Sequence, residues 1–437
     1  MKMRKPNRRA FGFEGLENRS MMAGNVTAAV LGGVLTLTGD ATHNSVLVQQ
    51  SGNKWTVQGL GTTINGTTTI KSFTGVAGLL ADLKTGNDVI RVSNGTLAND
   101  LVIIAGDFGQ NNVQLLNVRA ANIIVGTGDS DDAITVSNCR SGGDITLIAS
   151  DAGFEDSDSI SIANTRAGGA ILLDTGDGAD SVFVNVVRAN TDFDIVTGFS
   201  FLDGDDEVRI ISSFAGGHLN IDTGDGADSL TMSATNSGTT MNIVTFTTLL
   251  DENDEVFIAN CRMGSTLSIG TGDGEDTVTL SRVVVTSNLQ IETFDTFFDE
   301  SDTVTLTLAS CTGNFSVATG NGNDVVKISS FVAGNDFSID TSGDIFDLVD
   351  TVTVARVTVG HDFNLLMGFG NDLAYLNFVT VTHDMTADMS DGDSDYLSVI
   401  NSRALAAFFY GGNNLDDTLV LARNVFGSLT IDGFVNF

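Results

Sequence analysis

Apolar and polar residues alternate in short runs along nearly the whole chain. Segments such as ILLD at 171–174 and SVFV at 181–184 have the period of two that is typical of strands with one buried face. Glycine- and asparagine-rich turns separate these runs, and no stretch has the period of an amphipathic helix. The pattern therefore predicts an all-β protein built from many short strands.

These short strands belong to a repeat. Segments of 22 residues at 170–191, 218–239 and 266–287 align without gaps, and segments of 26 residues, such as 192–217 and 240–265, lie between them. The four extra residues of the long segments always fall in the same loop. A period of this size indicates a repeat architecture. We predict a right-handed parallel β-helix, or β-solenoid, of about 15 three-faced coils over residues 78–437.

One aspartate stands at the same place in almost every coil, at alternating steps of 26 and 22 residues, with a one-residue slip near the C-terminus. We call these residues the aspartate column: Asp88, Asp132, Asp158, Asp180, Asp206, Asp228, Asp254, Asp276, Asp302, Asp324, Asp350, Asp372, Asp395 and Asp417. Equivalent residues of stacked coils lie about 4.8 Å apart. Ionised carboxylates at that distance repel by about 3 kcal/mol per pair at an effective dielectric constant of about 20. Backbone hydrogen bonds, protonation or bound cations must offset this repulsion, and the sequence leaves all three open.

The loop before the column aspartate has a recurring motif. It reads T-G-[DN]-G-x-D-x-[VL] at 175–182, 223–230, 271–278 and 319–326, with degenerate forms at 127–134 and 367–374. This motif resembles the calcium-binding nonapeptide of RTX proteins, GGxGxDxUx, with Thr in place of the first Gly. Unlike RTX repeats, it lies on one edge only, and the long coils carry acidic and apolar loops instead. The resemblance implies Ca2+ bound by loop carbonyls and by the sixth-position aspartates, which here are Asp132, Asp180, Asp228, Asp276, Asp324 and Asp372.

The predicted calcium ligands combine short and long loops, because a short loop and its long neighbour could share an ion. The full set is Asp132, Asp177, Asp180, Asp206, Asp225, Asp228, Asp254, Asp273, Asp276, Asp302, Asp324 and Asp372. The alternative is that each column carboxylate accepts hydrogen bonds from backbone N–H groups of its own turn. Both interpretations stay open at this stage, and they are compatible at different coils.

Two lesser columns accompany the aspartates. Asn94, Asn117, Asn138 and Asn164 fall on successive coils, with Asn260 in the same place later; we expect them at sharp left-handed turns, with amides bonded to the next Asn, as in pectate-lyase-like β-helices. Arg119, Arg140, Arg166 and Arg188 follow on the same coils, with Arg262 beyond. These arginines either pair with acidic neighbours or line a groove for anions or sugar acids, since the guanidinium fork suits carboxylates.

The N-terminal 77 residues differ from the coils. Residues 1–23 carry six basic and two acidic residues, and FEGLENRSMMA at 13–23 resembles the N-terminal motif FExLExRxLLA of predicted extracellular planctomycete proteins. The resemblance implies export and removal of this segment; the alternative is a disordered basic tail. Residues 24–77 have strand-like alternation without the coil repeat, so we predict an N-terminal β cap that covers the first coil.

Composition limits the function. With 55 acidic and 21 basic residues the net charge is -34, which argues against a nucleic-acid partner and favours divalent cations. No apolar run reaches the length of about 18 residues that a transmembrane helix needs. No catalytic motif is present, and the acidic residues repeat evenly instead of converging at one coil.

These observations predict an exported, acidic structural or adhesion-type protein of the extracellular space or cell surface, which binds Ca2+ and is not an enzyme. Its further partners would be an extracellular polysaccharide or another surface protein. The alternative is a carbohydrate-active β-helix that binds or cleaves an acidic polysaccharide.

Overall fold

The computed structural model describes residues 24–149, 156–198, 203–246, 252–294, 300–343, 348–390, 394–412 and 416–435. The predicted export segment at 1–23 and the first residues of the acidic loops of the 26-residue coils lie outside the described residues. Within the described ranges the chain forms strands and turns and no helix, and the strands build a parallel β-solenoid of about 15 coils. The predicted fold class is confirmed.

Two long faces flank the aspartate column. The first face, before the column, consists of Val34–Thr38, Gly78–Asp82, Leu101–Ile104, Ile123–Gly126, Ile145–Ile148, Ile171–Asp174, Phe193–Val196, Leu219–Asp222, Met241–Val244, Leu267–Gly270, Leu289–Glu292, Phe315–Ala318, Phe337–Asp340, Phe363–Leu366 and Asp384–Asp388. The second face, after the column, consists of Ser45–Ser51, Val89–Ser93, Asn112–Leu116, Ala133–Ser137, Ser159–Ala163, Ser181–Asn185, Glu207–Ile211, Ser229–Ser233, Glu255–Ala259, Thr277–Ser281, Thr303–Thr307, Tyr396–Ile400 and Thr418–Ala422.

A short third face closes each coil. It consists of Arg119–Ala120, Arg140–Ser141, Arg188–Ala189, Phe214–Ala215, Asn236–Ser237, Arg262–Met263, Val284–Val285 and Ser310–Cys311. Near the C-terminus it merges with its neighbours: Val325–Ala333, Thr351–Val359 and Leu373–Val381 continue from the second face into the third, and Arg403–Tyr410 and Val425–Asp432 continue from the third into the first. Each coil therefore has three faces and three corners.

The core is a stack of equivalent apolar residues. Val182 of one coil pairs with Val208 of the next, as the 26-residue step predicts, and both side chains are buried. Inward residues alternate with outward ones on both long faces, which is the pattern read from the sequence. In the C-terminal half the stack is aromatic, with ring centroids of Phe315 and Phe337 4.6 Å apart and those of Phe337 and Phe363 5.1 Å apart.

The N-terminal region covers the end of this core with antiparallel hairpins. Besides Val34–Thr38 and Ser45–Ser51, which also belong to the long faces, this region contains the strands Asn25–Leu31, Lys54–Gly59, Thr63–Ile64 and Lys71–Phe73. Parallel stacking begins within the segment predicted as the cap, because Val34–Thr38 pairs with Gly78–Asp82 and Ser45–Ser51 pairs with Val89–Ser93. Trp55 is buried against Gly95, where an added Cβ would lie 2.4 Å from its ring. The hairpins thus shield the first coil from solvent.

The corner between the second and third faces is left-handed in nearly every coil. Asn94, Asn117, Asn138, Asn164 and Asn260 have φ values between 49° and 57° there, as predicted. The predicted amide ladder is only partly present: the Asn117 amide donates to Asn94 Oδ1 at 3.0 Å, whereas the Asn138 amide donates to the Ser137 hydroxyl. Another Asn, Asn401, occupies this corner near the C-terminus, whereas other coils place less suitable residues there, namely Val186, Ser212, Ala234, Arg282, Leu308, Ser330, Arg356, Phe378 and Arg423.

We expect Val186→Asn to stabilise the solenoid. Val186 is 49% exposed and has a φ of 57°, a conformation that is strained for a β-branched residue and tolerated by Asn. The gain should be about 1 kcal/mol in the free energy of unfolding, measured by chemical denaturation. Val284→Asn, on the third face and outside the left-handed corner, is the matched control and should give no gain. An equal effect of the two substitutions would refute the strain argument.

Candidate functional site

The aspartate column runs along the corner between the first and second faces. Its residues are at most 3% exposed. The preceding motif forms the loop: Gly176 and Gly178 have φ values of 80° and 139°, and an added Cβ at Gly178 would lie 1.7 Å from the Asp156 carbonyl oxygen of the adjacent coil. The glycines of the motif are thus required by the loop conformation and by the close approach of neighbouring coils.

A ladder of hydrogen bonds joins the column from coil to coil. The backbone N–H of each column residue donates to Oδ1 of the column residue in the next coil, as in Asp180 to Asp206 at 2.8 Å and Asp206 to Asp228 at 2.9 Å. A second bond returns, for example from the Glu207 N–H to the Asp180 carbonyl oxygen at 2.9 Å. Fifteen such side-chain bonds of 2.5–3.0 Å link residue 44 to residue 417.

Two asparagines complete the ladder and were missed by the sequence analysis. Asn111 accepts from the Asp88 N–H at 3.0 Å and donates to Asp132, and Asn44 donates to Asp88 at 2.6 Å. The sequence held a signal for Asn111, because the step from Asp88 to Asp132 spans two coils. The common requirement at this corner is therefore a side-chain acceptor, which an uncharged amide meets as well as a carboxylate.

The structure answers part of the question left open by the sequence. Every predicted ligand in the column, namely Asp132, Asp180, Asp206, Asp228, Asp254, Asp276, Asp302, Asp324 and Asp372, accepts a backbone hydrogen bond. The donors in this ladder belong to the neighbouring coil, so the expectation of donors from the residue's own turn is corrected. Oδ1 therefore has a structural role in the column.

The remaining predicted ligands, Asp177, Asp225 and Asp273, lie in the loops beside the column. Their negative charges raise the pKa of the column aspartates of their own loops, Asp180, Asp228 and Asp276 respectively, although burial is the larger cause in each case. The structure thus places acidic residues next to the column without adding them to the ladder.

Burial makes the column residues weak acids. It raises the pKa to about 7 for Asp88, Asp132, Asp180 and Asp276, to about 8 for Asp228, to about 9 for Asp158 and to about 10 for Asp206. For Asp206 the negative charge of Asp228 is the second cause. The raised pKa values favour the protonated forms of Asp158, Asp206 and Asp228 at neutral pH, which reduces the repulsion between carboxylates.

Threonine hydroxyls face the other oxygen of the column carboxyls. The Thr245 and Thr293 hydroxyls hydrogen-bond to Oδ2 of Asp254 and Asp302. The Thr175 hydroxyl lowers the pKa of Asp180, but the geometry falls short of a full hydrogen bond, and Oδ2 of Asp180 stays buried without a hydrogen-bond partner. The Thr of the motif is thus a polar neighbour of the acid, in the place of the first RTX glycine.

One long loop adds a carboxylate that is not part of the ladder. Asp203 accepts from the N–H groups of Gly178 and Gly204 through Oδ1, at 2.7 and 3.0 Å. Its Oδ2 is buried without a hydrogen-bond partner above Gly198 and Gly224, where an added Cβ would lie 1.5 and 2.0 Å away. Burial first, and then the charges of Asp177 and Asp228, raise the pKa of Asp203 to about 8.

The described carboxylates of this edge do not form a compact metal cage. Within the described ranges, the one group of three His, Cys, Asp or Glu side chains with ligand atoms mutually within 4.8 Å is His361, Asp362 and His383, at a different corner. A cation at the aspartate edge would therefore need loop carbonyl groups in addition to carboxylates, as the RTX resemblance implies.

The arginine column stacks as predicted but is not paired with acids. Arg119 pairs in register with Arg140, Arg140 with Arg166, and Arg166 with Arg188, and all four residues are exposed. No carboxylate among the described residues lies within 4.0 Å of these side chains. Arg166 instead donates to Asn190 Oδ1 at 3.2 Å, and the Arg188 guanidinium lies 4.5 Å from the centroid of the Phe214 ring. The expectation of pairing with acidic neighbours is wrong.

The chain matches no family model, no curated protein and no solved structure. Among the residues that the structure describes, there is no helix of the length and apolar character needed to cross a bilayer.

We expect the solenoid to lose stability as the pH rises. Burial raises the pKa of seven column carboxyls to about 7 to 10, above the unfolded value of 3.8, so the folded state holds more protons between these limits. Each such group lowers the free energy of unfolding by about 1.4 kcal/mol per pH unit in that window. Chemical denaturation at pH 5, 7 and 9 in the presence of a chelator should therefore show a denaturation midpoint that falls as the pH rises. If ionised carboxylates in ion pairs stabilised the fold instead, the midpoint would rise with pH.

Asp206→Asn supplies the control, because Asn keeps the acceptor of the ladder and cannot titrate. It should reduce the fall in stability between pH 5 and 9. Asp194→Asn, on the outer side of the first face and bonded to Asn220, removes one carboxyl outside the column and should leave the fall unchanged.

Proposed function

We propose that this chain is an exported, acidic β-solenoid that serves as a structural or adhesion-type surface protein and binds Ca2+ along the loop edge beside the aspartate column. The described coils repeat one set of contacts from end to end, and no catalytic constellation is singled out in the sequence. An evenly repeated rod suits a scaffold that presents surface residues at fixed spacing.

The observation that carries the calcium proposal is the environment of Asp203. One of its oxygens is buried without a hydrogen-bond partner, and the negative charges of Asp177 and Asp228 oppose its ionisation. A divalent cation would satisfy that oxygen and offset the charges at once. We place the ion between the loop of Asp177 and the long loop of Asp203, with carbonyl oxygens completing the coordination that Ca2+ prefers.

We expect millimolar Ca2+ to raise the unfolding temperature by several degrees, because an ion that binds only the folded loops stabilises them by mass action. Mg2+ should have a smaller effect, since it requires a tight octahedron that these loops do not offer. Near pH 3, where carboxylates are protonated, the increment should vanish. The measurement is a thermal melt of chelator-treated protein with added Ca2+, Mg2+ or NaCl of equal ionic strength.

The matched variants are Asp203→Asn, at the loop edge, and Asp194→Asn, on the outer side of the first face. Each replaces one carboxyl group by an amide. Asp203→Asn should abolish most of the Ca2+ increment, and Asp194→Asn should keep it. If NaCl raises the unfolding temperature as much as Ca2+ does, the loop edge is screened and not metal-bound, and the calcium proposal fails.

A second candidate function rests on the unpaired arginine column. Four guanidinium groups stand at strand spacing, about 4.8 Å per step, on a chain that is otherwise strongly acidic. The repulsion from distant carboxylates is screened over about 8 Å at physiological ionic strength, so the local positive charge dominates near the column. A linear acidic polysaccharide presents carboxylates repeatedly along its length and would satisfy several arginines together.

We expect the chain to bind a polyuronate and the double variant Arg140→Ala, Arg166→Ala to bind it at least about tenfold more weakly, since each lost charge-assisted contact is worth about 1.5 kcal/mol or more. Arg262→Ala is the matched control, because Arg262 stands between Asn236 and Val284 and has no neighbouring arginine in its column. Affinity electrophoresis or calorimetry at two salt concentrations gives the readout. Equal weakening by the control would indicate diffuse charge attraction, and depolymerisation lost in Arg166→Ala would indicate cleavage.

A further inference from the structure

A pair of exposed histidines lies at the corner between the third and first faces, a different corner from that of the aspartate column. His361 and His383 occupy equivalent turns, because the strands that follow them pair Phe363 with Met385. The His383 N–H donates to the His361 carbonyl oxygen at 3.1 Å, so coil stacking fixes one residue over the other. The ring centroids lie 4.3 Å apart with the planes at 84°.

Two carboxylates border these rings. Asp336 Oδ1 lies 2.8 Å from His361 Nδ1, and Asp362 Oδ2 lies 3.2 Å from the same nitrogen. The side chains of His361, Asp336 and Asp362 are 46%, 40% and 34% exposed, so an ion from solvent has access to them.

The carboxylates are held in place by backbone groups of adjacent coils. The Asp384 N–H donates to Asp362 Oδ1 at 3.1 Å, which turns Oδ2 of Asp362 towards His361. The Asp362 N–H in turn donates to Asp336 Oδ1 at 3.3 Å. The same corner carries Asp or Asn acceptors in earlier coils, as in the bond from the Asp144 N–H to Asn122 Oδ1. The positions of these side chains therefore follow from the general stacking of the solenoid.

We propose that His361, His383 and Asp362 form a binding site for a divalent transition-metal ion of the Zn2+ class. Each offers one ligand atom, and these atoms all lie within 4.8 Å of one another. A tetrahedral Zn2+ with bonds of about 2.0–2.2 Å needs its ligands about 3.3 Å apart, a difference that rotation of exposed side chains covers. The ion would take one nitrogen from each ring, one oxygen from Asp362 and water in the fourth position. Asp336 acts as a positioning residue that orients the His361 ring.

The ligand chemistry separates this site from the calcium edge. Two imidazoles with one carboxylate favour Zn2+, Ni2+, Cu2+ or Co2+, whereas Ca2+ and Mg2+ prefer oxygen ligands alone. The inference uses none of the residues proposed for Ca2+ or for polysaccharide, so it stands or fails separately from the proposed function.

The test is calorimetric titration of the full chain with Zn2+ in an excess of Ca2+, which occupies the general acidic surface. We expect one tight site per chain, weakened more than about tenfold by either His361→Ala or His383→Ala. Visible absorption of bound Co2+ should be lost in the same variants. His218→Ala is the matched control: His218 lies at the same corner, but the neighbouring coil places Thr240 against its ring, and its loss should change nothing.

Asp336→Asn should weaken Zn2+ binding by about tenfold while the Co2+ spectrum of the loaded protein keeps its form, since Asp336 orients a ligand without being one. Zn2+ affinity that is the same in all four variants and the parent would overturn the proposal, because it would reflect the acidic surface as a whole. Absence of a tight Zn2+ site in the parent protein would overturn it equally.

Discussion

The stacking of coils depends on satisfying one buried backbone N–H at the end of each loop. A coil that turns from the first face into the second buries the N–H of its column residue, and an unsatisfied buried donor costs about 1–3 kcal/mol. The side chain of the next coil supplies the acceptor in fifteen successive steps. The spacing of the repeat, the glycines of the loop and the apolar residue two positions later all serve this arrangement.

The choice of aspartate over asparagine has electrostatic consequences. Asn111 shows that an amide suffices as an acceptor, yet the other fourteen acceptors of the ladder are acidic. Burial favours the protonated forms of Asp158, Asp206 and Asp228 at neutral pH, and Oδ1 of each column carboxyl already accepts a backbone hydrogen bond, so a cation would have to compete with both in order to bind there. Asp177 and Asp203 lie outside the ladder and are half-buried, and Oδ2 of Asp203 lacks a hydrogen-bond partner, although a cation would have to displace a proton from Asp203 as well. We therefore propose that Ca2+ binds at the loop edge beside the column, and not in the column itself, where the RTX resemblance puts it.

The sequence predicted the features that recur in every coil, and it could not predict features that occur in one or two coils only. The period placed Val182 against Val208 and Arg119 against Arg140, because register follows from spacing alone. The period did not reveal which N–H groups donate to the column carboxyls. A donor in the residue's own turn and a donor in the neighbouring coil would both recur with the period of the coils. It also gave no reason to leave the arginines unpaired, because pairing depends on where long side chains of adjacent coils point. His361 and His383 are one coil apart, but a single pair does not stand out from a periodic background.

The three corners differ in the direction of their hydrogen bonds between coils and in the charge of their side chains. At the column corner, N–H groups donate to side chains of the following coil; at the corner of His361 they donate to side chains of the preceding coil, as from Asp362 to Asp336. Among the described residues, the left-handed corner carries only an interrupted ladder, as from Val187 to Ser213 and from Ser213 to Thr235, and the arginines of the neighbouring face have no acidic partner there. Because the two ladders hold the coils together, the outward residues of each coil are not needed for coil stacking. A metal ligand or an anion-binding arginine can therefore be placed on any coil without disturbing the stack, which is the physical reason to seek function in the irregular surface residues and not in the repeat itself.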